Sequence, residues 1–180
     1  MFEEITVQTK SLLLTGNEMT NHQFINTVIL ITEKNKNSVK GIILNHHSND
    51  FLTDVINIDL LKTRLFNGGP MDDGSLYFLY NLANNSSINK NSKEHLHIIH
   101  FNNSPNEIDN IKKIIKENKL TSKDFKFIKG HIYWTANELE NEINQKHWSV
   151  HNSYGTNLIF LNNQEKLWKS VLIEIGIKYT

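Results

Sequence analysis

The chain has no cysteine in its 180 residues. Disulfides, thiolate nucleophiles and thiolate-held metals are therefore excluded, since each needs a sulfur that the sequence does not contain. Arginine is nearly as scarce: Arg64 is the only one. The planar fork of arginine grips phosphate and guanine through paired hydrogen bonds, so a nucleic-acid surface here would have to be made from lysine alone. Lys plus Arg equals Asp plus Glu at 19 each, which leaves no net field to draw the chain toward phosphate. Direct nucleic-acid binding is not expected. No apolar run approaches the roughly 18 residues of a membrane span, and Glu3 and Glu4 spoil a secretory signal. The expectation is a cytoplasmic protein with no membrane contact.

Backbone punctuation is also sparse, with eight glycines and two prolines. Half of those glycines fall in three patches: Gly41-Ile42-Ile43-Leu44-Asn45, Gly68-Gly69-Pro70 and Gly130-His131-Ile132-Tyr133-Trp134. A chain so poor in both residues places them where backbone geometry demands them, at tight turns or close approaches. What is abundant is asparagine, at 26 residues. Together with Lys and Ile it points to a biased coding composition more than to disorder, because periodic apolar segments persist throughout. A chain of this length buries a full core and is most simply one domain, residues 1–180.

Those apolar segments alternate between strand and helix patterns. Residues 11–14, 27–32 and 39–44 are short runs rich in Leu, Val and Ile, and Asn35-Lys36-Asn37 supplies turn chemistry for a hairpin between the last two. Residues 51–65 carry Leu52, Val55, Ile56, Leu60 and Leu61 at near-helical spacing, which predicts one or two short helices. Strands are expected at 76–80 and 96–101, with the polar stretch 81–93 as a mobile loop. Ser104-Pro105-Asn106-Glu107 is a capping box with proline at the first helical position, and Ile108, Ile111, Ile114 and Ile115 give that helix a buried stripe as far as Lys119. Residues 125–133 alternate as a strand with Phe125, Phe127 and His131 on one face. Thr135-Ala136-Asn137-Glu138 is a second capping box for a helix bearing Leu139, Ile143 and Trp148. A strand near 158–161 precedes a last helix, capped by Asn162 or Asn163 and ended by Gly176.

The order of these patches resembles the AlgH/YqgE family nearly end to end. Leu12-Leu13-Leu14, Met19 and Phe24-Ile25-Asn26-Thr27-Val28 resemble the family's first strand, loop and F-x-R-S-V entry, with Asn26 where arginine is usual. Gly41 to Asn45 matches its G-x-x-x-N strand end, followed here by His46-His47 in place of a basic residue and proline. Gly68-Gly69-Pro70 is the family's most recognisable tripeptide. Gly130 to Trp134 with Leu139-Glu140 and Trp148 resembles its G-Y-x-G-W … Q-L-E … E … W segment, with Tyr133 replacing the second glycine. The resemblance implies an α+β domain whose mixed, bent sheet forms a partial barrel with helices packed outside. It brings no catalytic mechanism, only a label of transcriptional regulation.

Specific chemistries find little support in the residues. Gly68-Gly69-Pro70 could form a backbone nest for an anion. No Gly-Lys-Ser/Thr follows it, Met71-Asp72-Asp73 brings negative charge, and a sharp connection between strands is the simpler reading. Asn45 is expected to fold its side chain onto its own loop. His95, His97 and His100 are spaced H-x-H-x-x-H, which lets two rings share a strand face and turns the third away, so no metal or other cofactor is assigned. No G-x-S-x-G elbow or H-E-x-x-H helix is present. Trp134, Trp148 and Trp168 read as core anchors. Lys112, Lys113, Lys116, Lys119, Lys123, Lys126 and Lys129 read as a solvated helix face and its following loop. The expected function is non-enzymatic, accessory or regulatory, through contacts with a protein partner that the sequence does not name. The alternative is a small-molecule or anion binder, or an enzyme, using a cleft where Gly41, Asn45, Gly68, Gly69, Pro70, Gly130 and Trp134 meet.

Overall fold

The computed structural model of the chain describes residues 6–55, 63–82 and 93–176. Among these residues nine strands form one sheet: β1 (Leu12–Thr15), β2 (Val28–Lys34), β3 (Ser38–Ile43), β4 (His47–Phe51), β5 (Arg64–Asn67), β6 (Met71–Asn81), β7 (Leu96–Phe101), β8 (Phe125–Thr135) and β9 (Trp148–His151). The helices are α1 (Leu52–Val55), α2 (Pro105–Glu117), α3 (Ala136–Asn144) and α4 (Gln164–Glu174). The main path through the sheet runs β4-β5-β8-β3-β2-β1-β9, and β6 with β7 joins through β8. Only β5 and β8 pair in parallel, so the sheet is mixed.

Alternation along the strands sorts the apolar residues onto two faces. Leu12, Leu14, Val28, Leu30, Ile42 and Leu44 share an inner face with Phe66, Tyr77, Leu79 and Ile128 from the other half of the sheet, and α4 closes it with Leu167, Val171 and Leu172. The sheet is bent around this core as a partial barrel. Two outer faces are covered separately. Phe78, Phe125 and Phe127 pack under Ile108 and Ile111 of α2. Leu13, Ile29, Ile31, Ile132 and Trp134 pack under Leu139 of α3. The architecture is α+β, with α2 and α3 outside the bent sheet.

Both capping boxes form. Ser104 Oγ accepts from Glu107 N–H while Glu107 reaches back to the N–H of Ser104, and Thr135 and Glu138 repeat the exchange at α3. The β2–β3 hairpin pairs antiparallel, and Gly176 follows α4 at φ +76°, as a helix-ending glycine does. Other expectations are corrected. Phe51 lies in β4 and Leu65 in β5, with α1 between them; Ile56, Leu60 and Leu61 fall outside the described residues. Most of the expected 81–93 loop also falls outside them, while Asn81 ends β6. Residues 156–160 form a 3₁₀ turn instead of a strand, because Leu158 N–H and Leu161 N–H bond locally to Gly155 O and Leu158 O. α2 stops at Glu117, and Lys119 follows at φ +52°. α3 stops at Asn144, which places Trp148 on β9. His131 departs from the face of Phe125 and Phe127: it meets the inner-face ring of Tyr77 at 6.3 Å, because Gly130 at φ +80° breaks the alternation of β8.

Candidate functional site

The three glycine patches meet, and they meet as backbone. β5 and β6 both bond to β8 across residues 127–129, so they flank it on opposite sides. The segment Gly68-Gly69-Pro70 that joins them therefore crosses β8, and it crosses at Gly130. A Cβ on Gly68 would run into the carbonyl oxygen of Gly130, and one on Gly69 would lie 2.5 Å from His131 O. Gly69 at φ +147° and Gly130 at φ +80° also hold conformations that side chains resist. β3 arrives at the same crossing, where Ile43 N–H donates to Gly68 O at 2.9 Å and Gly41 stands opposite Ile132. A Cβ on Gly41 would approach Ile29 Cγ2 to 2.7 Å and the Trp134 ring to 3.3 Å. The amides that could have formed an anion nest already have acceptors. Gly68 N–H donates to Lys129 O at 2.8 Å, and Gly69 N–H to Asn67 Oδ1 at 3.1 Å. Pro70 is exposed and leads into β6.

Asn45 is buried, and its side chain reaches beyond its own loop. Its Oδ1 accepts from Val28 N–H at 2.9 Å and its Nδ2 donates to Asn26 O at 2.7 Å, which ties the end of β3 to the start of β2. Asn26, at the position where arginine is usual in the resembling family, sits at φ +55°, a left-handed conformation that asparagine tolerates. Beside it, His46 Nε2 lies 3.1 Å from Thr27 Oγ1, and burial holds its pKa below the ordinary value.

The fourth member of this neighbourhood, Trp134, leads away from the crossing to a cleft. The cleft has a volume of about 270 Å³ and is lined by Met19, Phe24, Ile132, Trp134 and Trp148, with Thr20, Asn21, Glu142 and His147 as its polar residues. Local chemistry explains each wall. Thr135 caps α3 immediately after Trp134, which starts the helix at a fixed point. Leu139, Glu142 and Ile143 then share one face at helical spacing. Leu139 fills the core under the helix, and Glu142 turns toward the tryptophans. Trp134 Nε1–H donates to Glu142 Oε2 at 3.1 Å, and Trp148 Nε1–H donates to the same oxygen at 2.6 Å. The two indoles stand edge to face at 6.4 Å, and Phe24 stands edge-on to Trp148 at 5.7 Å. Gly16 N–H bonds to His147 O at 2.7 Å, which lays the loop carrying Met19 and Phe24 over the turn after α3. Trp134 and Trp148 are buried core anchors whose rings also form the cleft wall. Glu142 was not singled out from the sequence. Its signal was an acid on α3 placed between two tryptophans, eight residues after one and six before the other.

The ionisable residues elsewhere are mainly structural. Lys126 belongs to no solvated face. It is 1% exposed, its Nζ donates to Leu44 O at 3.0 Å and Leu161 O at 2.8 Å, and it lies 4.4 Å from the centre of the Phe66 ring. Burial pushes its pKa down to about 7. Strand alternation puts it opposite Phe125 and Phe127, facing the inner core. His97 stacks on Tyr80 at 4.7 Å and His100 on Tyr77 at 4.9 Å, while His95 belongs to the turn before β7, so the three rings do not converge. Among the described residues no group of three His, Asp or Glu side chains is arranged to hold a metal ion. Nor is any helix among them long and apolar enough to cross a membrane.

Comparison with known proteins decides the family. Residues 12–180 match the model of the AlgH-like family. The chain belongs to that family. A UPF0301 protein from Cytophaga hutchinsonii is 28% identical over 157 residues, covering 87% of this chain and 83% of that protein. One from Chlorobium chlorochromatii is 25% identical over 179 residues, covering 99% and 90%. The fold recurs in a crystal structure from Corynebacterium diphtheriae, with TM-score 0.69, 20% identity, and coverage of 94% of this chain and 88% of the other. It recurs again in the solution structure of AlgH from Pseudomonas aeruginosa, with TM-score 0.66, 20% identity, and coverage of 99% and 94%. In this AlgH-like chain the tripeptide Gly68-Gly69-Pro70 is the strand crossing, and the Trp-Glu-Trp arrangement forms the adjoining cleft.

Proposed function

We propose that this AlgH-like chain is a non-enzymatic, cytoplasmic accessory or regulatory protein that acts by binding a protein partner, with the Trp134–Glu142–Trp148 cleft as its docking point. The observation that carries this reading is a preformed, apolar-walled cleft with a single carboxylate fixed in it by two indoles. Fixed walls are what a recognition site needs, since ordering them on binding would otherwise offset the affinity. At about 270 Å³ the cleft falls just under the 300–1,000 Å³ typical of cofactor and drug-sized sites, and suits one inserted side chain. Regulation, on this reading, means altering the partner and not reading DNA; the lone arginine and balanced charge support that choice.

Native mass spectrometry of the untagged protein from its own cells tests the proposal. The expected result is a protein partner retained by the wild type and lost when the exposed rim residue Thr20 is changed to Trp to fill the cleft. Retention of a small molecule in place of a protein, lost in the same variant, would turn the reading to ligand binding. Retention of the partner by both forms would remove the cleft from the account.

A further inference from the structure

Glu142 carries a feature that the proposed docking role leaves open. Its Oε2 takes both indole hydrogen bonds, while its Oε1 has no hydrogen-bond partner among the described residues, and the side chain is half-buried at the cleft. A carboxylate held in an apolar cleft with one oxygen unmatched favours a cation over a neutral or anionic guest, because a charged hydrogen bond is stronger than a neutral one and the low-dielectric walls strengthen it further. Among the cleft residues only Glu142 is acidic, and His147 is the only other ionisable group.

Resting on the docking reading above, we propose that the occupant is a lysine side chain of the partner protein. The choice between lysine and arginine follows from the oxygens. Guanidinium binds a carboxylate best as a fork across both oxygens. Here Oε2 is already taken by two donors. A compact ammonium needs only one acceptor, and its four-carbon stem can lie along apolar walls while the charge sits at their end. Met19, Phe24 and Ile132 supply such walls, and Glu142, which lines the same cleft, supplies the acceptor.

The indole N–H signals of Trp134 and Trp148 report directly on this site in a ¹H–¹⁵N correlation spectrum. The full chain is titrated separately with Nα-acetyl-lysine amide, its uncharged isostere Nα-acetyl-norleucine amide, and Nα-acetyl-arginine amide. The expected result is saturable movement of both indole signals with the lysine amide, at least about tenfold weaker binding of the norleucine amide, and weaker binding of the arginine amide. Glu142→Gln should abolish the preference for lysine over norleucine. The wild-type preference should also shrink as ionic strength rises, a readout that holds if the variant folds poorly. Equal binding of norleucine overturns the cation while leaving a cleft that docks apolar side chains. Arginine binding at least as tightly as lysine overturns the lysine assignment. Indole signals unmoved by all three probes overturn both the inference and the docking reading.

Discussion

Two neighbouring regions of this protein use their distinctive residues in opposite ways. At the crossing, Gly41, Gly68, Gly69 and Gly130 bring backbones so close that no Cβ fits without a clash or strain, and the amides of Gly68 and Gly69 already have acceptors. At the cleft, bulky side chains hold walls apart around about 270 Å³ of space, and one carboxylate oxygen has no partner among the described residues. The glycines that carry the family resemblance are thus those that remove space. The space itself is built from Trp134, Glu142 and Trp148, which the crossing helps to position. Gly41 lies against the Trp134 ring, and Ile132, opposite Gly41 on β8, lines the cleft.

The largest expected effect falls on the crossing. Gly68→Ala should cost about 4 kcal/mol or prevent folding, because its methyl group would meet the Gly130 carbonyl, a backbone atom that cannot give way. Gly74→Ala is the control. It has φ +85° but nothing within 4 Å of the added methyl, so only backbone strain of about 1–2 kcal/mol applies. Urea unfolding of the two variants compares a steric cost with a conformational one; equal losses would mean that the crossing is looser than its distances imply.

The next effect belongs to Lys126, which hydrogen-bonds the Leu44 carbonyl at the end of the first glycine patch. Its folded-state pKa of about 7 lies below the ordinary lysine value of 10.5. Below pH 7 both folded and unfolded chains hold the proton, and this group contributes no pH dependence. Between about 7 and 10.5 the unfolded chain binds a proton that the folded chain has released, so stability rises with pH by at most about 1.4 kcal/mol per unit. Burial also lowers the pKa of Lys10 and Lys93, so both add to the rise in the same direction as pH climbs toward the ordinary lysine value. Above about 9.5, Tyr77, raised to about 12 by burial, and Tyr154, raised by the same cause, make stability fall as unfolded tyrosines ionise first. Urea midpoints across pH 7–9.5 should rise in the wild type and rise less steeply in Lys126→Met, the difference between the two being the share of Lys126.

On the cleft side, Glu142→Ala leaves two buried indole N–H groups without their acceptor and should cost about 2 kcal/mol. It should also raise the mobility of the Trp134 and Trp148 rings, seen as altered near-ultraviolet circular dichroism. The smallest effect is expected at Thr135→Ala. That change removes the α3 cap and should cost about 1 kcal/mol by thermal unfolding while leaving the crossing intact. Should Thr135→Ala prove more damaging than Glu142→Ala, the carboxylate would not be holding the cleft.

The sequence displayed the parts of the fold governed by local rules. Ser104 and Thr135 announced their helices because a cap is a contact between residues three apart. The β2–β3 hairpin was legible from its turn residues. β4 and β5 were not, because Arg64–Asn67 is short and its pairing with β8 lies far away in the chain. The 156–160 turn was missed because a short apolar run fits a buried strand and a buried turn equally well. The glycine patches could be recognised as geometric necessities, yet only the opposite flanking of β8 by β5 and β6 shows that their purpose is a crossing. Lys126 hid among surface lysines. Counting charges along a stretch cannot reveal that strand alternation turns one of them inward. Glu142 was hidden in a similar way, since its importance depends on two indoles that the chain brings together from either side.

The central claim is that the glycine patches hold the backbone crossing while the cleft beside them receives the ligand. The most direct test is to follow backbone amides and indole N–H groups together in one ¹H–¹⁵N titration of the full chain with Nα-acetyl-lysine amide. The account predicts saturable shifts at the Trp134 and Trp148 indoles, with the Gly68, Gly69 and Gly130 amides nearly still. Shifts that begin at those glycine amides and leave the indoles unmoved would contradict it.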